Sequence, residues 1–242
     1  MTTCMMLFRL DKNLSIKYRK ETRKKLHMNI QTPPSYGTRQ RDDVILPEKN
    51  TFLNAYKILF LSIIPSKTKE TTFQILNRTV WTQNKAFKSG RDDSPHCYRC
   101  EHVETMEHLL YECEHYSSRV WELLGHALTN ALAEHSAHPT PVIIFTFLEI
   151  IYNKPHPVLK THVENATTRT VIILLIQEIK RDIIYRRAQI TQPRREPVFP
   201  QRIQAHILSS IQKVQSYLEY QGILAYNPGI TLLQQLTQHI LA

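Results

Sequence analysis

The chain has 242 residues, with 31 lysines and arginines against 21 acidic residues and a formal net charge of +10. Its hydrophobic residues, 42% of the total, are enough for a buried core in one large or two small domains. The positive charge indicates either a polyanionic partner or simple solubility. No apolar run approaches the roughly 18 residues that a bilayer-spanning helix requires, which excludes a membrane protein. Five glycines among many Leu, Ile, Gln, Glu and Lys residues favour an all-α fold.

Residues 1–49 are predicted to be a basic segment followed by a linker. Leu14, Tyr18, Thr22 and Leu26 recur at intervals of four, which predicts a short amphipathic helix, and the prolines after it predict the linker. The cations of this helix are candidates for contacts with a nucleic-acid backbone or for a nuclear-import patch, and a solvated helix face explains them equally well. These cations are Lys17, Arg19, Lys20, Arg23, Lys24 and Lys25.

Two helices are predicted between the linker and the first clustered cysteine. Apolar residues recur at three- and four-residue spacing from Phe52 to Phe60, and Pro65 should end that helix. A second helix is predicted over about residues 68–88, stopped by Gly90. Its expected core residues are Phe73, Ile75, Leu76, Val80, Trp81 and Phe87.

Three of the four cysteines lie within 17 residues of one another, with a histidine between the second and third. Cys97, Cys100, His108 and Cys113 have the spacing C-x2-C-x7-H-x4-C. Thiolate and imidazole are the ligands that tetrahedral Zn²⁺ prefers, and four of them make a closed, structural site. The spacing therefore predicts one structural zinc ion.

The position of His108 sets a condition on the helix that carries it. Thr105 is predicted as its N-cap, with Glu107 in the first turn, where the helix dipole favours a carboxylate. His108 and Cys113 are five residues apart, which is about 140° of rotation on an ideal α-helix. They can share a metal only if this helix ends or unwinds before Cys113. Leu109 and Leu110 should then point inward.

Other interpretations of the cluster remain open. His96, His102 and His115 flank it and are alternative fourth ligands, and the cysteines could also be small buried hydrophobic residues. A disulfide fits less well because the motif holds an odd number of cysteines. The N-terminus has no apolar stretch long enough for a signal peptide. Together with free thiols this predicts an intracellular protein, nuclear or cytoplasmic.

Five helices are predicted after the cluster. The first covers about residues 117–134, with Trp121 more plausible as a core residue than as a base-stacking platform. Residues 141–152 are apolar nearly all round and predict a central buried helix. The others cover about residues 163–189, 200–221 and 230–241, with Pro200 opening and Gly222 capping the fourth.

Basic residues collect near the end of the predicted helix 163–189, beginning with Lys180 and Arg181. Cations at this end complement the helix dipole, and a phosphate-binding track is the functional alternative. The nucleic-acid candidates in this part of the chain are Arg99 in the metal loop with Arg186, Arg187, Arg194 and Arg195.

The cysteine cluster also carries a resemblance to a known family. This stretch resembles the zinc-binding region that follows the polymerase domain in reverse transcriptases of LINE-type, non-LTR retrotransposons. The residues that carry the resemblance are, in order, the C-x2-C pair, Glu104-Thr105, His108-Leu109-Leu110, Cys113 and Trp121. The similarity covers about residues 52–125, including the helical lead-in with Pro65 and Lys67, and extends more loosely through residues 176–185.

This resemblance implies a zinc-stapled helical module that helps to position RNA or target DNA, with a reverse-transcriptase polymerase chain as a further expected partner. The chain itself is predicted to be no enzyme. Its only Asp-Asp pairs, Asp42-Asp43 and Asp92-Asp93, lie in turn-like contexts unlike a two-metal polymerase hairpin. A zinc-scaffolded protein-interaction module and a decayed retroelement fragment are the alternatives. The predicted domains are residues 1–49, 50–136 (zinc-binding) and 137–242 (helical).

Overall fold

A computed structural model describes residues 55–61, 63–134, 140–154, 156–190, 198–222 and 227–242. The described residues form helices and no strand, and they belong to one contact unit, Asn54–Ala242. A 3-10 turn, Ile58–Phe60, and a π-helical segment, His108–Glu112, accompany eight α-helices. The α-helices are α1 (Ser66–Leu76), α2 (Gln83–Lys88), α3 (Ser117–Ala133), α4 (Phe147–Tyr152), α5 (Pro157–His162), α6 (Ala166–Ala188), α7 (Pro200–Gln221) and α8 (Asn227–Leu241).

Helix α6 is the centre of this assembly. The Asn165 side chain caps it by accepting hydrogen bonds from the backbone N–H groups of Thr167 and Thr168. Helices α1, α7, α8 and the π-helical segment all pack against it. Because it is surrounded, α6 buries polar as well as apolar residues, and Lys180 has no exposed surface. The all-α fold with a short Cys/His loop, expected from the sequence, is confirmed.

The prediction of one continuous helix over residues 68–88 is wrong. The chain forms α1 and α2 with a break between them, at which Arg78 adopts a left-handed backbone conformation with φ +55°. Lys85 stabilises the break by donating to the backbone oxygens of Arg78 and Val80. As a result Trp81 and Phe87, expected in the core, are 53% and 46% exposed.

The predicted buried helix over residues 141–152 is also wrong in its first half. Residues 141–146 are not helical, and along them Val142 and Ile144 face solvent while Ile143 and Phe145 are buried. This alternation is the period of extended backbone. Gly125 in α3 makes room for it, because a Cβ there would lie 2.2 Å from the Ile143 carbonyl oxygen.

The boundaries of the last helices agree with the sequence. Pro200 is the first residue of α7, and Gly222 ends it in the left-handed conformation. None of the described helices combines the length and apolar character needed to cross a membrane. The predicted N-terminal helix and linker lie outside the described residues, and the division at residue 136 stays a prediction.

Candidate metal centre

The first two cysteines lie on a tight turn closed by backbone hydrogen bonds. His96 and Val103 form an isolated antiparallel bridge, and the Cys97 N–H donates to the His102 carbonyl oxygen at 2.8 Å. Inside the turn, the Arg99 N–H lies 3.4 Å from Cys97 Sγ and donates to it. A backbone N–H directed at sulfur favours the thiolate form, which is the form that binds metals.

The third and fourth candidate ligands are brought together by a π-helical segment. Thr105 Oγ1 accepts a hydrogen bond from the His108 N–H at 3.0 Å, so Thr105 caps this turn as the sequence predicts. After one turn the Cys113 N–H donates to the His108 carbonyl oxygen at 2.9 Å, a bond between residues five apart. The wider π turn therefore puts His108 and Cys113 on the same side, which meets the condition that the sequence imposed.

All four predicted ligands converge. The ligand atoms of Cys97, Cys100, His108 and Cys113 lie within 4.8 Å of one another, and all four residues are buried. Cys100 Sγ is 3.1 Å from His108 Nε2. In a tetrahedral site with Zn–S bonds of about 2.3 Å, neighbouring ligand atoms are separated by roughly 3.8 Å. The donor set and its spacing therefore fit a tetrahedral zinc ion.

The three thiols strongly influence one another's protonation. A hydrogen bond from Cys113 holds the pKa of Cys97 far below its usual range, at about 3, and the same interaction raises the pKa of Cys113. Burial raises the pKa of Cys100. Neighbouring thiolates in a buried cluster repel one another, so a divalent cation among them would favour ionisation of all three.

The flanking histidines have other partners. His96 is exposed, and its Nδ1 lies 3.0 Å from Ser94 Oγ. The His102 ring stacks on that of His108 with centroids 5.7 Å apart. His115 Nδ1 contacts the Arg99 carbonyl oxygen at 2.5 Å. The described geometry thus groups His108, and not these three, with the cysteines.

Buried side chains, including Trp121 of α3, support the π-helical segment. Leu109 and Leu110 are buried, as expected. Trp121 of α3 donates from Nε1 to the Leu110 carbonyl oxygen at 2.7 Å and contacts Phe145 edge to face. In a π-helical segment, backbone carbonyl groups do not have the N–H partners that an α-helix provides. The Trp121 indole N–H gives the buried Leu110 carbonyl oxygen a hydrogen-bond partner. Trp121 is 3% exposed, which confirms it as a core residue.

A buried ion pair fastens the metal loop to α6. Glu104, which has no exposed surface, accepts from Arg187 Nε at 2.5 Å and from the Gln83 N–H at 2.8 Å. The Arg187 guanidinium also lies over the Tyr98 ring, 4.6 Å from its centroid. Arg187, a predicted nucleic-acid contact, is thus held by intramolecular contacts to Glu104 and Tyr98.

Arg99 and Arg186, two other predicted nucleic-acid contacts, both lie near Tyr116 and His206. Arg99 stacks over the Tyr116 ring at 4.6 Å, and Tyr116 Oη is 2.8 Å from His206 Nδ1. Burial, reinforced by the charges of Arg186, Arg99 and Arg202, lowers the pKa of His206 to about 4. We call Arg99, Arg186 and Arg202 the arginine cluster.

The sequence did not identify Arg202 or His206 as functional. Both lie in the first two turns of α7, where the chain returns to the metal loop through a hydrogen bond from Val198 N–H to the His115 carbonyl oxygen. The helix prediction placed them on α7, but nothing in their spacing indicated which loop they would face. The remaining predicted contacts, Lys17, Arg19, Lys20, Arg23, Lys24, Lys25, Arg194 and Arg195, lie outside the described residues.

Comparisons with known proteins agree with this geometry. Residues 42–121 match the family model described as zinc-binding in reverse transcriptase, a stretch that contains all four clustered residues and ends at Trp121. Neither the curated proteins nor the solved structures give a significant match. The segment that carries the Cys/His cluster is therefore similar to the zinc-binding region of reverse transcriptases.

Proposed function

We propose that this chain is a non-catalytic nucleic-acid-binding module, scaffolded by one structural zinc ion and derived from a reverse transcriptase of the LINE type. Cys97, Cys100, His108 and Cys113 are the proposed ligands. Zinc would hold the turn that carries Arg99 against the π-helical segment, and so fix the position of that guanidinium. RNA or target DNA is the proposed partner, alongside a polymerase supplied by another part of the same retroelement machinery.

The arginine cluster beside the metal loop is the observation that supports nucleic-acid binding. Arg99 comes from the loop, Arg186 from the end of α6 and Arg202 from the start of α7, and their charges converge on His206. Arg186 pairs with Asp182, whereas Arg202 is exposed and has no ion pair in the part of the chain that the structure describes.

The metal is tested first, by zinc content of the purified full chain. We expect one equivalent in the wild-type protein and in Cys4→Ser, which removes the cysteine outside the cluster. Cys113→Ser should contain less than one equivalent and bind it weakly, because a hydroxyl is a poor zinc ligand. Full zinc content in Cys113→Ser would contradict the ligand set.

Nucleic-acid binding is tested with labelled single-stranded RNA and DNA at several salt concentrations. Contacts to phosphates release counterions, so affinity should fall steeply with salt. Arg99→Ala and Arg202→Ala should each weaken binding and reduce the salt slope by about one. The exposed Lys88, on the far end of α2, provides the matched control Lys88→Ala, which should change little.

The same experiment separates the proposal from a protein-interaction module. A zinc-loaded chain that binds neither RNA nor DNA at low salt, or binds them without salt dependence, would contradict the nucleic-acid function and leave zinc as a scaffold for an apolar interface. Polymerase and nuclease assays on the zinc-loaded chain should show no activity above that of Cys113→Ser.

A further inference from the structure

A cavity away from the metal centre lies between α4, α5 and α6. Its volume is about 440 Å³, which is within the usual range for small-molecule sites. The lining includes the exposed residues Lys154 and Lys160 as well as fully buried ones, so the cavity opens to solvent at one end and reaches into the core at the other.

The inner walls of the cavity are apolar. Phe145, Leu159, Ile172 and Ile176 line it and are buried, and the Phe145 ring meets the His156 ring edge to face, with centroids 5.9 Å apart. Apolar cavities hold hydrocarbon groups rather than ordered water, and one of about 150 Å³ is enough for a benzene molecule. The larger cavity of this protein therefore has room for an aliphatic chain of about ten carbons.

Buried polar side chains of the lining are bonded within the protein. Gln177 Oε1 accepts a hydrogen bond from Thr72 Oγ1 at 3.0 Å, and Gln177 Nε2 donates to Asn153 Oδ1 at 2.5 Å. Glu149 Oε2 accepts from the Thr146 N–H at 2.8 Å as part of the capping box of α4. Because these bonds engage the polar side chains, contact with the hydrocarbon walls is the main contribution that the inner part of the cavity offers to a ligand.

Three cations lie in the outer, more exposed part of the lining. Lys154 and Lys160 are exposed and Arg169 is half-buried, and none of the three has an ion pair among the described residues. The lining contains one carboxylate, the buried Glu149. The excess of positive charge favours an anionic group at the mouth, and a guanidinium can bind both oxygens of a carboxylate at once.

We propose that this cavity binds an aliphatic monocarboxylate from solution, with its hydrocarbon chain against the buried walls and its carboxylate held at the mouth by Arg169, Lys154 and Lys160. The two ends of such a ligand match the apolar inner part and the cationic outer part of the cavity. The inference does not depend on the proposed function. Arg169 and Arg186 of the arginine cluster are 17 residues apart on α6, which is about 25 Å along the helix axis.

Calorimetric titration of the full zinc-bound chain with hexanoate, octanoate and decanoate, each below its micelle concentration, tests the proposal. We expect saturable binding of one molecule per chain. Each pair of added methylene groups should tighten the binding about tenfold, because it buries more apolar surface. Decanol should bind more weakly than decanoate. Decyltrimethylammonium, which has the same chain and the opposite charge, should show no binding.

Two variants remove the two parts of the proposed site separately. Arg169→Met keeps an unbranched apolar side chain but removes the charge, so decanoate should bind about tenfold more weakly. Ile173→Phe should abolish binding by filling the cavity, and zinc content and thermal unfolding check that this variant is folded. Lys88→Ala removes an exposed cation that does not line the cavity and should leave the affinity unchanged.

The outcomes separate this site from the arginine cluster. Failure of the folded chain to bind decanoate, or an affinity that does not change with chain length, would overturn the cavity assignment. Decanoate binding that survives both Ile173→Phe and Arg169→Met, or that is lost in Arg99→Ala or Arg202→Ala, would also overturn it, since the ligand would then lie elsewhere on the basic surface. Nucleic acid is absent from these titrations, so their failure leaves the proposed nucleic-acid function standing, and failure of strand binding leaves the cavity assignment standing.

Discussion

Glu104 and Arg187, 83 residues apart in the chain, form a buried ion pair that joins the metal loop to the end of α6. Burial raises the pKa of Glu104, and Arg187 opposes this shift through its hydrogen bond and its charge. Arg187 is also held by Gln83 and by the Tyr98 ring. The metal loop is therefore part of the helical core, and its stability should depend on α6.

Removal of Arg187 should destabilise the protein substantially. In Arg187→Ala the Glu104 carboxylate remains buried without its counter-ion, so the free energy of unfolding should fall by about 3 kcal/mol. Denaturant unfolding at neutral pH measures it. Arg119→Ala, which removes an exposed arginine that donates to the Glu114 carbonyl oxygen, should stay within about 0.5 kcal/mol of the wild type. Adding Glu104→Gln to Arg187→Ala should restore part of the loss; no recovery would show that the ion pair is not the cause.

Loss of the metal should reach beyond the loop. From the sequence, Cys100→Ser is expected to lose zinc and to loosen residues 90–125 while helices beyond residue 160 persist. The ion pair to Arg187 extends that expectation: hydrogen exchange should also rise in the last turn of α6. The part of α6 around Val171 packs against Gly229 of α8 and should remain protected. Uniform exchange along α6 would contradict this division, and Cys4→Ser serves as the control.

The buried amine of Lys180 should make stability depend on pH. Burial lowers its pKa from 10.5 to about 7. The unfolded chain then binds more protons than the native one between these values, so native stability from this group rises with pH and is lost as pH falls through about 7. Lys180→Met removes this dependence. Between pH 7 and 9 the wild type should gain about 2 kcal/mol relative to the variant. Parallel stability curves for the two proteins would contradict the low pKa.

Gly125 should not tolerate a methyl group. In an ordinary helix interior, replacing glycine with alanine stabilises by up to about 1 kcal/mol. Here the new Cβ would lie 2.2 Å from the Ile143 carbonyl oxygen, so the extended segment must move away from α3. We expect Gly125→Ala to lower the free energy of unfolding by about 1 to 3 kcal/mol, as overpacking does. Thermal unfolding shows whether Gly125→Ala is less or more stable than the wild type. A more stable variant would mean that the extended segment moves away from α3 without cost.

Local signals in the sequence were sufficient for much of the candidate site. The C-x2-C spacing, the Thr105 cap and the apolar pair Leu109-Leu110 each depend on a few neighbouring residues, and the structure places them as expected. Even the required unwinding before Cys113 followed from residue spacing. Its form, a π turn, depends on the support that Trp121 gives to the Leu110 carbonyl oxygen, and such a partner is not evident from periodicity.

The sequence by itself determined the fold class, the ends of α7, and the four residues that could hold a metal, because caps, prolines and ligand spacing act over a few residues. The tertiary structure decided the rest. Residues 141–146 are not helical because a close approach at Gly125 competes with the helical tendency of an apolar run. Likewise, Arg187 turns inward because its ion-pair partner Glu104 lies 83 residues away in the sequence, and Arg202 lies near the metal loop although the like charge of Arg99 repels it. Packing and ion pairing between distant segments leave no local pattern, so only the folded chain shows which basic residues remain free to bind a partner.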